Sequence, residues 1–95
     1  VCKTRIVNRK EKKIIQAIAS GSFQLTVHAR ERMNERAISE ADIVHVAQNT
    51  NSIRFQKEND TFLLNGETEW GNLLYISAAL RANVIIVTVY FEDDL

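Results

Sequence analysis

Residues 73–91 read LLYISAAL-RAN-VIIVTVYF. Two apolar runs, Leu73 to Leu80 and Val84 to Phe91, flank the polar tripeptide Arg81-Ala82-Asn83. They are rich in β-branched and aromatic side chains, which fit a pleated, half-buried surface. The pattern predicts a hairpin at the centre of a sheet. Its near-continuous apolar character predicts strands covered on at least one face by helices. The whole sequence holds no proline to interrupt these strands.

Immediately upstream, the period is also two. Ile53-Arg54-Phe55-Gln56 alternates, Asn59-Asp60 reads as a turn, and Thr61 to Leu64 reads as a strand closed by a hairpin turn at Asn65-Gly66. Glu67 to Gly71 is then a short outer strand or a loop. Downstream, Glu92-Asp93-Asp94 ends the chain in charge, which discourages further strand pairing at that edge.

Before residue 52 the period is helical. Residues 8–19, NRKEKKIIQAIA, place Ile14, Ile15, Ile18 and Ala19 on one side behind a basic first half, with Asn8 as the cap and Ser20-Gly21 as the stop. Phe23 to Val27 alternates briefly and reads as a short strand. It leads into HARERMNERAIS, residues 28–39, with Thr26 the better capping chemistry at the helix start. Ser39-Glu40-Ala41-Asp42 has the form of a capping box. It opens a third helix that buries Ile43, Val46 and Ala47, turns His45 to solvent and stops at Asn49-Thr50-Asn51. The order implies one α+β domain over residues 1–95, with N-terminal helices packed on one face of a twisted antiparallel sheet of about four strands.

Composition narrows the function classes. The chain has 95 residues, 45% hydrophobic and 25% charged, the balance of an ordinary globular domain. Its formal charge is zero, but residues 1–36 carry nine basic side chains against three acids and residues 37–95 carry three against nine, so the halves stand at plus six and minus six. This asymmetry fits a face that binds a polyanion, or two halves that neutralise each other. Cys2 is the single cysteine, so no internal disulfide and no thiolate metal cluster forms. No apolar run approaches a membrane span and nothing reads as a signal peptide, so the expected location is the cytoplasm, away from membranes. The chain opens on Val1, which leaves open a trimmed parent or the end domain of a larger protein.

The chemistry-bearing stretch is the second helix. His28, Arg32 and Arg36 fall four apart and share one stripe, while Ala29 and Met33 beside it anchor the helix to a core. Like charges at this spacing destabilise an isolated helix by a few tenths of a kcal/mol, roughly. The residue types suit a phosphodiester: arginine offers a planar fork to phosphate oxygens, and histidine exchanges a proton near neutral pH. The structural alternative is a packed histidine with Arg32 and Arg36 paired to acids such as Glu67, Glu69 or Glu92.

The pattern His28-Ala29-x-x-Arg32-Met33-x-x-Arg36-x-Ile38-Ser39, with Asp42-Ile43 after it and Val87-Thr88-Val89-Tyr90 near the end, resembles a small bacterial domain family of unknown function. Members carry H-A-x-x-R-M-x-x-R-G-I-S and finish on a strand of the V-I-T-V-Y kind. That family is similar in layout to RelE-type and BrnT-type toxins of toxin–antitoxin pairs. The resemblance covers about residues 23–91, and it departs at Ala37, where the family prefers glycine. It implies a RelE-like fold and a ribonuclease-like toxin that works on RNA without metal or other cofactor, silenced by an antitoxin or immunity protein.

Metal-free RNA cleavage needs a base for the 2′-hydroxyl, an acid for the leaving 5′-oxygen and cations for the charge on phosphorus. His28 is the candidate proton carrier and Arg32 and Arg36 the charge stabilisers. Tyr90 and Thr88 complete the set if the last strand runs beside the helix; strand alternation puts those two on one face. Lys10, Lys12, Lys13 and Arg30 are the candidate RNA-binding cations, against the alternative of a solvated lysine face. Trp70, in a polar loop, reads as a lid or a partner contact. Two other classes stay open, a non-catalytic toxin acting on a protein target and a nucleic-acid-binding regulatory module.

Overall fold

The computed structural model describes residues 9–91. Three helices pack on one face of a five-stranded sheet: α1 (Arg9–Ala19), β1 (Gln24–Leu25), α2 (Val27–Arg36), α3 (Glu40–Gln48), β2 (Ser52–Gln56), β3 (Thr61–Glu67), β4 (Leu73–Leu80) and β5 (Val84–Phe91). The strand order is β1-β5-β4-β3-β2. All neighbours are antiparallel except β1, which runs parallel to β5 through Gln24↔Ile85 and Leu25↔Ile86. The α+β class holds. The antiparallel part has four strands, and the segment before α2 adds a fifth, parallel one of two residues, shorter than the alternation from Phe23 to Val27 suggests. Phe23 stays outside it, Thr26 is the extended N-cap of α2 with its N–H still bonded to Ile86 O, and Val27 is the first helical residue. The Asn8 cap and the acidic Glu92-Asp93-Asp94 end lie outside the described residues.

Local chemistry sets the helix ends. After α1 the chain turns through Gly21 at φ 84°, with Gly21 N–H donating to Ile18 O at 3.0 Å and Ser22 N–H to Ala17 O at 2.8 Å, closing the exposed carbonyls of the last turn. At α3 the capping box is complete: Ser39 Oγ accepts from Asp42 N–H and Asp42 Oδ2 accepts from Ser39 N–H, each at 3.1 Å.

One apolar core fills the space between helices and sheet. Ile14 and Ile18 of α1, Ala29 and Met33 of α2, and Ile43, Val46 and Ala47 of α3 meet Leu64, Leu74, Ile76, Ile86 and Val89 of the strands. Each fully buried aliphatic side chain stabilises the fold by roughly 1.5–3 kcal/mol. The register slips once, between Ser77 and Ala78: Ser77 pairs with Thr88 but Ala78 pairs with Ile86, so Val87 is an extra residue in β5. This bulge lets Ile86 and Val89, three apart, both enter the core. Thr88 and Tyr90, flanking Val89, therefore turn to the opposite face.

Asn65-Gly66 is not a hairpin turn. Both residues are inside β3, pairing with Tyr75 and Leu74, and the turn follows at residues 68–72. Gly66 answers to packing: a Cβ there would lie 3.0 Å from Asn49 O and 3.2 Å from Val46 Cγ1, because the end of α3 rests on the strand.

Candidate functional site

The helix that carries the cationic stripe is set by one hydroxyl. β1 continues its pairing through Thr26 N–H donating to Ile86 O at 3.1 Å. Thr26 Oγ1 then donates to Val87 O at 2.9 Å and accepts from Ala29 N–H at 3.0 Å. The chain thus leaves the sheet edge at the β5 bulge and enters α2 already capped, with His28 in the first turn.

Ala29 and Met33 sink into the core as expected, which fixes the helix's rotation. His28 and Arg36 come out exposed, and Arg32 is half-buried between them. The Arg32 stem packs down so far that its Nε is buried with no hydrogen-bond partner. One terminal nitrogen approaches Glu35 Oε1 at 3.8 Å, a loose pair on an open surface. For Arg32 this carboxylate comes from the same helix and not from Glu67 or Glu69, while Glu92 lies outside the described residues. Val27, next to His28, is 72% exposed.

Charge in the first turn of α2 runs against its dipole. The first turn has no acidic side chain and carries His28 and Arg30, both exposed at the positive end of the helix. An anion bound there would relieve that opposition. The helix ends at Ala37, which takes the left-handed conformation (φ 56°, ψ 41°) and donates to Met33 O. Alanine thus occupies the position where glycine is at ease, and the helix keeps its length through Arg36.

The other candidate residues are spread more widely. Lys10, Lys12 and Lys13 are exposed on α1. Lys10 borders a groove of about 230 Å³ whose walls include Phe55, Asp60, Phe62 and Arg81, with Arg81 Nη2 3.4 Å from Asp60 Oδ2. Thr88 and Tyr90 share the sheet face turned away from α1, α2 and α3, so they do not stand beside the His28 stripe on the helical side. Only the backbone links the two faces there: Thr88 follows Val87, whose carbonyl accepts from Thr26 Oγ1. Tyr90 stacks on Tyr75, with ring centroids 5.2 Å apart and planes 3° from parallel. Burial raises the Tyr90 phenol above its ordinary value of 10.0, Tyr75 adds to the rise, and Arg54 opposes it. The hydroxyl is therefore a neutral donor at physiological pH.

Tyr75 and Arg54 lie on this same face and escaped the reading of the sequence as site residues. The signal for Arg54 was present in the alternation that opens β2, Ser52-Ile53-Arg54, where Ile53 is buried and Arg54 exposed. His45 is half-buried at the rim of a polar recess of about 420 Å³ with Asn49, Thr50, Asn51, Glu67 and Thr68. Trp70 is 77% exposed in the turn after β3. Among the described residues, no three His, Cys, Asp or Glu side chains group to hold a metal ion, and no helix is long and apolar enough to cross a membrane.

Fold and site together define a small α+β domain with a histidine–arginine stripe on its second helix and a polar, aromatic sheet face behind it. Residues 25–91 match the family described as Domain of unknown function (DUF4258), and the chain belongs to that family. No curated protein and no solved structure matches it.

Proposed function

We propose that this protein is a metal-independent ribonuclease of the toxin type, acting on RNA in the cytoplasm and held in check by an antitoxin or immunity protein. The observation that carries this reading is the exposure of His28 in the first turn of a helix that also presents Arg32 and Arg36. In the reaction His28 takes the proton from the ribose 2′-hydroxyl as its oxygen attacks phosphorus. The bond to the 5′-oxygen breaks, and the protonated imidazole returns the proton to that leaving oxygen. The products are a 2′,3′-cyclic phosphate and a 5′-hydroxyl. Arg32 and Arg36 stabilise the negative charge on the phosphoryl oxygens. The reading extends the motif's resemblance to a family likened to RelE-type and BrnT-type toxins, an analogy that fixes no chemistry by itself.

Purified protein incubated with RNA in EDTA tests this. Wild type is expected to release 5′-hydroxyl fragments, and His28→Ala to be slower by about 100-fold or more, the scale of one acid–base group. Equal products from both proteins remove His28 from the mechanism. A second reading, a module that binds nucleic acid without cutting it, is favoured by the position of Thr88 and Tyr90 on the far face, away from His28. It predicts steeply salt-dependent RNA binding with intact RNA.

A further inference from the structure

Side chains on the sheet face away from the helices form two cross-strand rows. One row is Tyr90–Tyr75–Asn65–Ser52 and the next is Thr88–Ser77–Leu63–Arg54, each following the strand pairing. Neither row contains an acid. Tyr90 covers one side of the Tyr75 ring. The strand order turns the other side toward β3 and β2, where a recess of about 330 Å³ is lined by Tyr75, Arg54, Asn65, Ser52 and Leu63. Leu63 is buried and Arg54 exposed. Asn65 Nδ2 donates to Ser52 Oγ at 3.0 Å, which holds the amide in place and leaves its oxygen as an acceptor.

We propose that this recess is a base-binding slot for single-stranded RNA, in which one unpaired base stacks on Tyr75 over Leu63, meets the Asn65 amide with its edge, and places its phosphate at Arg54. Each part has a physical reason. An aromatic ring buttressed by a second ring is a rigid stacking platform, and bases stack on such platforms whatever their sequence. Arginine supplies the charge complementary to phosphate, with no carboxylate in either row to compete. A paired base has both its faces covered and cannot enter, so the slot selects single strands. The strand can continue past Tyr90 and Thr88 toward the β1 side of the sheet, where Thr26, two residues before His28, holds Val87. Choosing RNA as the polymer rests on the ribonuclease reading, but the slot does not depend on cleavage at His28.

The test measures anisotropy of a labelled single-stranded RNA oligonucleotide with the full chain carrying His28→Ala, so that no cleavage intervenes. Adding Tyr75→Ala is expected to weaken binding by about tenfold, the scale of one lost base stack. Tyr75→Trp keeps the stack and restores the affinity, which separates stacking from a folding defect. Arg54→Gln is expected to weaken binding and lower the salt dependence by about one counterion. A duplex of the same sequence is expected to bind less well. Unchanged affinity in both Tyr75→Ala and Arg54→Gln, equal binding of the duplex, or no binding of RNA at all overturns the slot. If wild type fails to cut RNA but these variants weaken binding as described, the ribonuclease reading falls and the slot stands.

Discussion

The Thr26 hydroxyl donates to the Val87 carbonyl at 2.9 Å across 61 residues of sequence, and the same oxygen caps α2 through Ala29 N–H. One side chain therefore couples the β5 bulge to the helix that presents His28. Thr26→Val removes both bonds while keeping the shape. It is expected to cost about 1.5–3 kcal/mol, a lost cap plus a carbonyl left short of its partner. Thr26→Ser keeps the hydroxyl and is expected to stay within about 1 kcal/mol of wild type. Urea unfolding of the three proteins checks the order.

Ala37 ends α2 in the left-handed region at φ 56°. A Cβ in this conformation is crowded by the neighbouring carbonyl, and glycine escapes the crowding. Ala37→Gly is therefore expected to stabilise the protein by about 1 kcal/mol. The midpoint of urea unfolding should rise with its slope unchanged. A fall would mean that the freedom glycine adds to the unfolded chain outweighs the strain relieved.

What the sequence revealed follows from how local each determinant is. The α2 anchors Ala29 and Met33, the Ser39 capping box and the β4–β5 hairpin depend on neighbours a few residues away, and all were legible. The pairing of β1 with β5 is not, since Gln24 meets a residue 61 positions on, Ile85. The direction of Thr88 and Tyr90 was hidden for another reason. Val84 to Val87 is apolar throughout, so alternation gives no sign that Val87 is an extra residue, and that bulge decides which face Tyr90 takes. Asn65-Gly66 misled because its turn signal is local, whereas the glycine is required by α3 resting on it.

That contact gives a sharp prediction for Gly66. Its added Cβ would meet Asn49 O at 3.0 Å, a backbone atom at the end of α3 that cannot rotate away. Gly66→Ala is expected to destabilise by about 1–3 kcal/mol, the range for overpacking a tight contact. In a hairpin turn at positive φ the same change would act through backbone strain. Here Gly66→Asn, which a turn would tolerate, is expected to be worse than alanine because its side chain is larger. Thermal melts of the two variants decide between packing and turn chemistry.

Tyr90 carries a pH signature of the open sheet face. Its phenol is raised above 10.0 by burial first and by Tyr75 second, with Arg54 pulling the other way. The folded state thus holds its proton to higher pH than the unfolded chain does. Proton linkage then makes stability fall as pH rises from about 10 through the folded value, because in that window the native state binds more protons. Tyr90→Phe is expected to remove that part of the slope. Arg54→Gln takes away the opposing charge and should move the late-titrating phenol higher still. Tyr75→Phe removes the neighbouring charge and should move it lower. Ultraviolet titration of tyrosinate absorbance reads both shifts, pH-dependent unfolding reads the slope lost in Tyr90→Phe, and a phenol that moves the same way in both Arg54→Gln and Tyr75→Phe would contradict this account of the stacked pair.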